Sequence, residues 1–402
     1  MKIALVSQEY PPETARGGIG SQTFVKAKGL AALGHKVYVI SRSIDSERYE
    51  KMHGDICVIR IPGMEVKLPE MTEVVQWITH SVVVAEEINT LHKRESFDII
   101  DFPEWAAEGY VYLLNRTAWN MVPVVIQLHG PLVMFAHVMD WPGIETEFYK
   151  TGTHMESTSV QLADAVYSSS ACSAQWIRSH YYPGIPNIPV IHLGVDTNAF
   201  VPHPHLKDER PVIIFVGKIV PNKGVEELVD ACVQLIKTFS DLQLRFIGSG
   251  EASFINKLYQ KALQPDGTSF LELVGYVQKE DLPAELARAH VFVSPSWYEG
   301  GPGFVFLEAM ACGLPVVGCS GSGIDEIVTN NVNGILVPPK DSIALEKAIF
   351  KILSDKVLMQ HMGANARNYV AREADSHDCL KKLESFYEEV IKTHAFRASN
   401  LS

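Results

Sequence analysis

Short runs of consecutive apolar residues recur along the chain, and stretches with helical spacing of apolar residues separate them. Runs without strict alternation are typical of parallel strands that are buried on both faces. Strands that alternate with helices in this way predict doubly wound α/β architecture. The strands expected are 1–7, 36–41, 57–61, 97–101, 123–128, 164–170, 211–216, 242–247, 270–275, 291–293, 315–319 and 334–337.

Apolar residues spaced three and four apart predict the helices, and Gly or Pro marks several of their ends. A Pro-rich stretch from Pro183 to Pro204 separates the two halves of the pattern, as a domain boundary often does. We therefore expect a first domain of residues 1–197 and a second domain of residues 198–375. The helices expected are 21–33, 71–93, 173–182, 225–238, 281–288, 303–312, 342–354, 355–372 and 378–394.

Length and charge narrow the class of protein. A chain of 402 residues is long enough for two domains of about 200 residues. Its formal net charge of −12, without a basic stripe, argues against a nucleic-acid-binding protein. The six cysteines are scattered with no C-x-x-C pair, and no targeting or membrane-spanning segment is evident. We therefore expect a cytoplasmic protein.

The stretch from Val291 to Pro315, VFVSPSWYEGGPGFVFLEAMACGLP, joins a buried strand to a helix through a turn rich in Gly and Pro. Pro302 suits the first helical position, and Gly313 suits the position just after the helix. Because glycine has no Cβ, a ligand can approach the N–H groups at the helix start closely, which predicts an anion site. The N–H groups expected to be free there belong to Gly303, Phe304 and Val305.

Two carboxylates flank this turn. Glu299 precedes it and can bind sugar hydroxyls, whereas Glu308 lies in the helix and can accept two hydrogen bonds from a vicinal diol such as ribose. Either residue could instead be an ordinary surface carboxylate. An anion site between two carboxylates that bind hydroxyl groups fits a nucleotide-sugar.

A second group of charges follows the strand 211–216. Lys218 and Lys223 lie between this strand and the next helix, so their ammonium groups are expected near a helix N-terminus. Two cations and a helix dipole suit a diphosphate, although a charged helix cap is the simpler alternative. Gly250, in the loop after the following strand, is a further position at which a ligand could approach the backbone.

Three residues of the first half are also candidates. His129 follows a strand end and precedes a Gly, which is the position of a site residue, although a lone His is more often structural. Glu104 follows the strand 97–101 and could bind an acceptor or cap the next helix. Arg178 could contact a phosphorylated acceptor or lie on a solvated helix face.

The loop after the first strand contains Gly17 and Gly18, which place backbone N–H groups at a strand's carboxyl end, where open α/β sheets bind ligands. The loop lacks a G-x-G-x-x-G pattern, and no acidic residue ends the second strand. A nicotinamide-dependent dehydrogenase is therefore disfavoured.

The run from Glu299 to Glu308, with Gly18 and His129-Gly130, resembles the family 4 retaining glycosyltransferases. The segment G-V-D-x-x-x-F at 194–200 also matches that family. Family members usually place seven residues between the two glutamates, whereas eight intervene here. The resemblance covers nearly the whole chain and is strongest in residues 211–340. It implies the GT-B fold, in which two doubly wound Rossmann-like domains face each other across a cleft, and a final helix, 376–402, that packs back on the first domain.

The resemblance implies a retaining hexosyltransferase that uses a nucleoside diphosphate sugar, UDP-linked before GDP-linked, and needs no metal or other cofactor. It assigns the diphosphate to Gly18, Lys218, Lys223 and the 303–305 backbone, the ribose to Glu308, the hydroxyls at sugar positions three and four to Glu299, the far side of the sugar to His129, and the nucleobase to Tyr276 and Val277. Family members commonly have Arg where Lys218 stands.

Several alternatives stay open at this point. A nucleotide-sugar epimerase with the GT-B fold would share the diphosphate site, whereas a two-lobed periplasmic binding protein would need a signal peptide that is not evident. The acceptor could be a sugar phosphate, a lipid-linked molecule or a small polyol. Peripheral contact with a membrane and the oligomeric state are not determined by the sequence.

Overall fold

The computed structural model describes residues 1–14, 18–45, 47–63, 73–117, 121–185 and 187–399. They form two compact units: unit 1 draws on Met1–Leu193 and His377–Ser402, and unit 2 is Gly194–Ser376. Each unit is a Rossmann-like α/β domain built on a mainly parallel sheet. The fold class predicted from the apolar pattern is therefore confirmed.

The strands lie close to the predicted apolar runs. Those of unit 1 are β1 (Lys2–Val6), β2 (Lys36–Arg42), β3 (Tyr49–His53), β4 (Ile56–Ile61), β5 (Ile99–Pro103), β6 (Val124–Leu128) and β7 (Ala165–Ser168). Those of unit 2 are β8 (Val212–Val216), β9 (Gln243–Ile247), β10 (Leu271–Gly275), β11 (Val291–Ser294), β12 (Val316–Cys319) and β13 (Gly334–Val337).

The helices include several that the pattern did not predict. Those of the first part of the chain are α1 (Gly18–Ala32), α2 (Glu73–Glu95), α3 (Tyr110–Leu114), α4 (Leu132–Met139), α5 (Glu147–Leu162) and α6 (Ala171–His180). The rest are α7 (Val225–Leu235), α8 (Ala252–Lys261), α9 (Leu282–Ala287), α10 (Phe304–Ala311), α11 (Ser342–Ser354), α12 (Lys356–Glu373) and α13 (Ser376–Ser399). Among the described residues, none of these helices has the length and apolarity needed to cross a membrane.

Two local differences from the predictions have physical causes. The edge strand β3, which pairs antiparallel with β4, has the polar and mostly exposed sequence YEKMH, so no apolar run marks it. Helix α1 starts at Gly18 rather than at Ser21. Its first turn packs on the preceding loop so closely that a Cβ at Gly20 would lie 2.9 Å from the Cβ of Glu9.

The strand order places a topological switch point in each sheet. The first sheet has the order β3-β4-β2-β1-β5-β6-β7, and the second has the order β10-β9-β8-β11-β12-β13. In the first sheet the strands that follow β1 are added on one side of it, and the chain then crosses to the other side of β1 to form β5. In the second sheet β9 and β10 are added on one side of β8, and β11 is formed on the other side of β8. Open α/β sheets bind ligands beside the carboxyl ends of such strand pairs.

A buried polar network joins helix α13 to the sheet of unit 1. The Nζ of Lys26 lies 2.9 Å from Oδ2 of Asp101, and burial lowers the pKa of this lysine. Tyr167 donates to the same Oδ2 (2.7 Å), as does Tyr387 of α13. Because a buried charge is costly unless it is paired, this network fixes how α13 packs on unit 1.

Candidate functional site

The switch point of unit 2 brings Lys223 and Glu299 together. Gly224 has φ 66°, and a Cβ there would lie 2.1 Å from the carbonyl oxygen of Pro295, so only glycine fits. The start of α7 is therefore held against the end of β11. The Nζ of Lys223 consequently lies 2.5 Å from Oε1 of Glu299, with both side chains partly exposed. A cation and a carboxylate that can bind hydroxyl groups are adjacent here.

The same edge of the sheet presents two further predicted donor-binding residues, Lys218 and Gly250. Lys218 is exposed, and no ion pair of its ammonium group occurs within the described ranges. Ile219, next to it, forms a β-bridge with Gly250. A Cβ at Gly250 would lie 2.2 Å from the carbonyl oxygen of Ile219, so a glycine is needed for the two loops to meet.

The N-terminus of α10 is not capped by the side chain at its cap position. Gly303 is the N-cap residue, with φ 54°, so the helix begins at Phe304. Pro302 therefore precedes the cap, and its predicted place as first helical residue is wrong. Within the described residues, no protein group accepts from the N–H of Phe304 or Val305. Gly313, with φ 75°, follows the last turn as predicted.

The turn before α10 packs on the segment after β12. The N–H of Gly323 donates to the carbonyl oxygen of Glu299 (2.8 Å). A Cβ at Gly323 would lie 2.4 Å from the Cα of Gly301, so the two backbones are in direct contact. In the helix that follows, Glu308 is buried.

Glu308 contacts a lysine that the sequence interpretation did not identify. The Nζ of Lys279 lies 3.2 Å from Oε1 of Glu308 and 5.3 Å from the ring centroid of Phe304. Lys279 could have been found as a cation in the loop after β10, the loop predicted to bind the nucleobase. In that loop Tyr276 is 76% exposed, whereas Val277 packs against the core.

In unit 1 the structure places Glu104 beneath His129. Glu104 is fully buried. The N–H of His129 donates to both of its oxygens (2.7 Å each), and the N–H of Gly130 donates to Oε1. The predicted contact of Glu104 with an acceptor is therefore corrected, since this carboxylate has no exposed surface and its oxygens bind the protein backbone.

Burial changes the protonation of both side chains. It raises the pKa of Glu104 to about 7, although the hydrogen bonds from Gly130 and His129 oppose this shift. Burial, and secondarily the charge of Lys26, lowers the pKa of His129 to about 3. The half-buried His129 is thus a neutral imidazole near pH 7, and its Nδ1 has no hydrogen-bond partner in the described part of the chain.

The remaining candidates of unit 1 lie on helices. Gly18 is the exposed first residue of α1, whereas Gly17 falls outside the described residues. Arg178 is exposed on α6. The described residues contain no cluster of three or more His, Cys, Asp or Glu side chains that could hold a metal ion.

Two family profiles match the chain in succession. Residues 16–199 match the profile described as Glycosyltransferase Family 4, and residues 197–369 match the profile described as Glycosyl transferases group 1. The two matches meet near the boundary between the units.

A curated relative and two solved structures are similar over nearly the whole chain. The GDP-mannose-dependent alpha-(1-6)-phosphatidylinositol monomannoside mannosyltransferase of Mycolicibacterium smegmatis is 30% identical, covering 91% of this chain and 93% of the relative. Sucrose-phosphate synthase from Thermosynechococcus elongatus has a TM-score of 0.82 at 23% identity, covering 98% of this chain and 99% of its own. Anabaena HepE in complex with UDP and glucose has a TM-score of 0.72 at 19% identity, covering 96% and 99%.

Proposed function

Because the chain belongs to the GT-B glycosyltransferases of family 4, we propose that it moves a hexose from a nucleoside diphosphate sugar to an acceptor hydroxyl, with retention of configuration. The observation that carries this proposal is the adjacency of Lys223 and Glu299 at the unit 2 switch point. This pair combines a charge for the donor's phosphate with a group for the hydroxyls of its sugar.

The leaving diphosphate is stabilised by the cations and the helix N-terminus of unit 2. As the bond from the sugar to the phosphate breaks, negative charge grows on the released oxygen and must be neutralised. Lys223 and the exposed Lys218 supply positive charge. The N–H groups of Phe304 and Val305 supply hydrogen bonds and the positive end of a helix dipole.

The two glutamates hold the hydroxyl groups of the donor. Glu299 binds hydroxyls of the sugar, and Glu308 accepts two hydrogen bonds from the ribose diol. For this to happen the lysine partner of each carboxylate, Lys223 or Lys279, moves toward a phosphate or toward solvent. Neutral His129 contacts the sugar as a hydrogen-bonding group and not as a cation.

Retention follows if the acceptor attacks on the face from which the diphosphate leaves. The acceptor oxygen forms a bond to the anomeric carbon while the bond to the phosphate oxygen breaks. The released phosphate oxygen then takes the proton of the acceptor hydroxyl. This step needs no separate protein base. The lowered pKa of His129 makes its imidazole a weak base, although its Nδ1 has no hydrogen-bond partner in the described residues.

We propose that the reaction proceeds without a metal ion, because the cations of Lys218 and Lys223 can neutralise the diphosphate. Activity should consequently be unchanged after prolonged treatment with EDTA, measured as transfer from donor to acceptor. Loss of activity that Mg²⁺ restores would contradict this part of the proposal.

For the donor base we propose uracil first and guanine second. The fold similarity to a protein solved with UDP supports the first, and the GDP-mannose dependence named for the 30% identical relative supports the second. A cytoplasmic location also remains part of the proposal, based on the scattered cysteines. The acceptor class is left to experiment.

The first experiment is thermal unfolding of the full chain with UDP, GDP, ADP or NAD, each alone. A ligand that binds only the native state adds about 2.7 kcal/mol of stability at a hundredfold excess over its Kd. One nucleoside diphosphate should therefore raise the melting temperature clearly. A shift with NAD alone, or with none of the four, would overturn the proposed donor site.

Product analysis then separates transfer from epimerisation. The protein is incubated with the donor that carries the selected base, both with and without sugar-phosphate, polyol and lipid-linked acceptors. A transferase should form a glycoside only when the acceptor is present. Release of an epimerised sugar without an acceptor would instead identify the nucleotide-sugar epimerase.

A further inference from the structure

Buried side chains of unit 1 accept hydrogen bonds from the backbone N–H groups at the start of α4. Glu104 accepts from the N–H groups of His129 and Gly130. Glu156 accepts from the N–H of Leu132 (2.9 Å) and from the hydroxyl of Tyr181 (2.6 Å). Since residue 131 is a proline, every N–H group from 129 to 132 is held by one of two buried carboxylates.

The turn that carries Glu104 is strained. Ala106 and Ala107 have φ values of 60° and 47°, in the left-handed region that residues other than glycine rarely adopt. The turn ends at Glu108, which is also buried and whose Oε1 accepts from the N–H of Gln8 (3.0 Å), in the loop after β1. Strain of this kind persists only where the surrounding structure enforces it, and it is concentrated at functional sites.

The Glu104 carboxyl is buried at a cost in stability. A polar or charged group that is buried at a strand end costs stability unless it is fully hydrogen-bonded, and burial raises the pKa of this carboxyl. Its oxygens bind the backbone N–H groups of His129 and of the next residue, Gly130. A displacement of about 1 Å in a group that contacts the substrate can cost about 10²-fold in rate.

We propose that Glu104 is a positioning residue, which fixes the backbone of His129 and Gly130 so that the imidazole is held in place for the sugar donor. This inference rests on the proposed role of His129 in donor binding. Glu104 itself does not touch the substrate, because its carboxylate is enclosed by the protein.

Three variants of the full-length protein test this role. Glu104→Ala removes both acceptors, whereas Glu104→Gln keeps an oxygen that can occupy the place of Oε1, which accepts from both N–H groups. Asp164→Asn is the matched control. Asp164 accepts the backbone N–H of Val124 (2.8 Å), at the end of β6 opposite His129, and pairs with Arg116 (2.6 Å).

The first readout does not depend on activity. Hydrogen–deuterium exchange, followed by mass spectrometry on a peptide spanning residues 126–134, should show at least tenfold faster exchange in Glu104→Ala. Exchange in Glu104→Gln and in Asp164→Asn should stay near that of the unchanged protein. Unaltered exchange in Glu104→Ala would overturn the proposal, even if the protein proved not to be a transferase.

The second readout separates positioning from stability. At a temperature well below melting, kcat of Glu104→Ala should fall by about 10²-fold, and Glu104→Gln should restore it to within about threefold. The Kd of the nucleoside diphosphate should not change, because none of its proposed contacts involves Glu104 or His129. Faster exchange in Glu104→Ala with an unchanged kcat would overturn the positioning role, whereas absence of turnover in the unchanged protein would instead refute the proposed function.

Discussion

Helices α4 and α10 are both eight residues long, and each follows a strand of its sheet, yet their N-termini are used in opposite ways. In α4 the N–H of Leu132 binds the buried Glu156, and the preceding N–H groups bind Glu104. In α10 the cap residue is a glycine with no side chain to accept a hydrogen bond. The anion that a helix N-terminus favours is thus part of the protein in unit 1, and we propose that it is the substrate in unit 2.

The difference lies in where the carboxylates are. Glu104 and Glu156 are fully buried, so removing them affects the backbone that they hold. Glu299 is partly exposed beside Lys223, so its removal changes what the surface can bind more than it changes the fold. Charges at the unit 2 site should therefore be separable from stability, and charges at the start of α4 should not.

The largest effect is expected for Lys223→Ala. Loss of one group that stabilises charge in the transition state costs about 10²–10³-fold in kcat. The melting temperature should change little, because a partly exposed ion pair contributes only about 0–1 kcal/mol. Activity assays and thermal unfolding check both statements.

Lys257→Ala is the control for that variant, since Lys257 of α8 also pairs with a glutamate of unit 2, Glu226 (2.9 Å), but is not among the proposed donor contacts. It should keep full activity. Near-normal turnover in Lys223→Ala would show that this lysine does not stabilise the leaving diphosphate, and the proposed substrate site of unit 2 would be wrong.

Glu104→Gln should change how stability depends on pH. The pKa of Glu104 is raised from 4.5 to about 7, so the folded state retains a proton that the unfolded state releases in this interval. The stability that the raised pKa of Glu104 contributes to the folded protein is fully present below pH 4.5 and is lost as pH rises to about 7. At about 1.4 kcal/mol for each unit of pKa difference, the variant should gain about 3 kcal/mol relative to the unchanged protein across this interval.

Urea denaturation at pH 4.5, 6 and 7.5 measures this difference. Tryptophan fluorescence suits the experiment because five of the six tryptophans precede residue 194, among them Trp105 beside Glu104. Burial and then the charge of Glu104 raise the pKa of Glu156, so the measured difference also includes the relief of this repulsion in Glu104→Gln. A difference that stays constant with pH would mean that Glu104 is already ionised in the folded protein throughout the range.

Glu308→Ala should weaken donor binding. Two hydrogen bonds from a diol to a charged group are worth about 3 kcal/mol, so kcat/KM for the donor should fall by about 10²-fold. Isothermal titration with the nucleoside diphosphate provides the direct measurement. Glu308→Gln keeps the shape and one acceptor, so its Kd should lie between those of the unchanged protein and Glu308→Ala. An unchanged Kd in Glu308→Ala would show that Glu308 does not bind the ribose.

The smallest effect is expected at Lys218, which is exposed at the edge of the unit 2 site. Lys218→Ala should lower kcat/KM by up to about tenfold, because one charge near the diphosphate is lost while Lys223 remains. Lys218→Arg keeps the charge and allows a bidentate contact with a phosphate, so it should match or exceed the unchanged protein. A hundredfold loss in Lys218→Ala would make this lysine, not Lys223, the principal phosphate contact.

The sequence by itself determined the buried strands of both sheets and the glycine-rich turn before α10. Buried parallel strands need apolar side chains on both faces, so their runs stand out from the helices between them. The turn before α10 needs a glycine at position 303, because this residue adopts a positive φ. Requirements of this kind are local and can be recognised from residue types alone.

Only the tertiary structure decided the role of Glu104 and the partners of the other carboxylates. Glu104 and His129 are 25 residues apart and meet because β5 and β6 are neighbours in the sheet. Lys279 follows β10 and Glu308 lies on the helix after β11, and the two side chains meet although these strands are not neighbours in the sheet. A carboxylate that faces solvent and one that binds buried N–H groups have the same letter in the sequence. Which of the two it becomes depends on the strand order, which brings distant segments together and sets how much water each side chain retains.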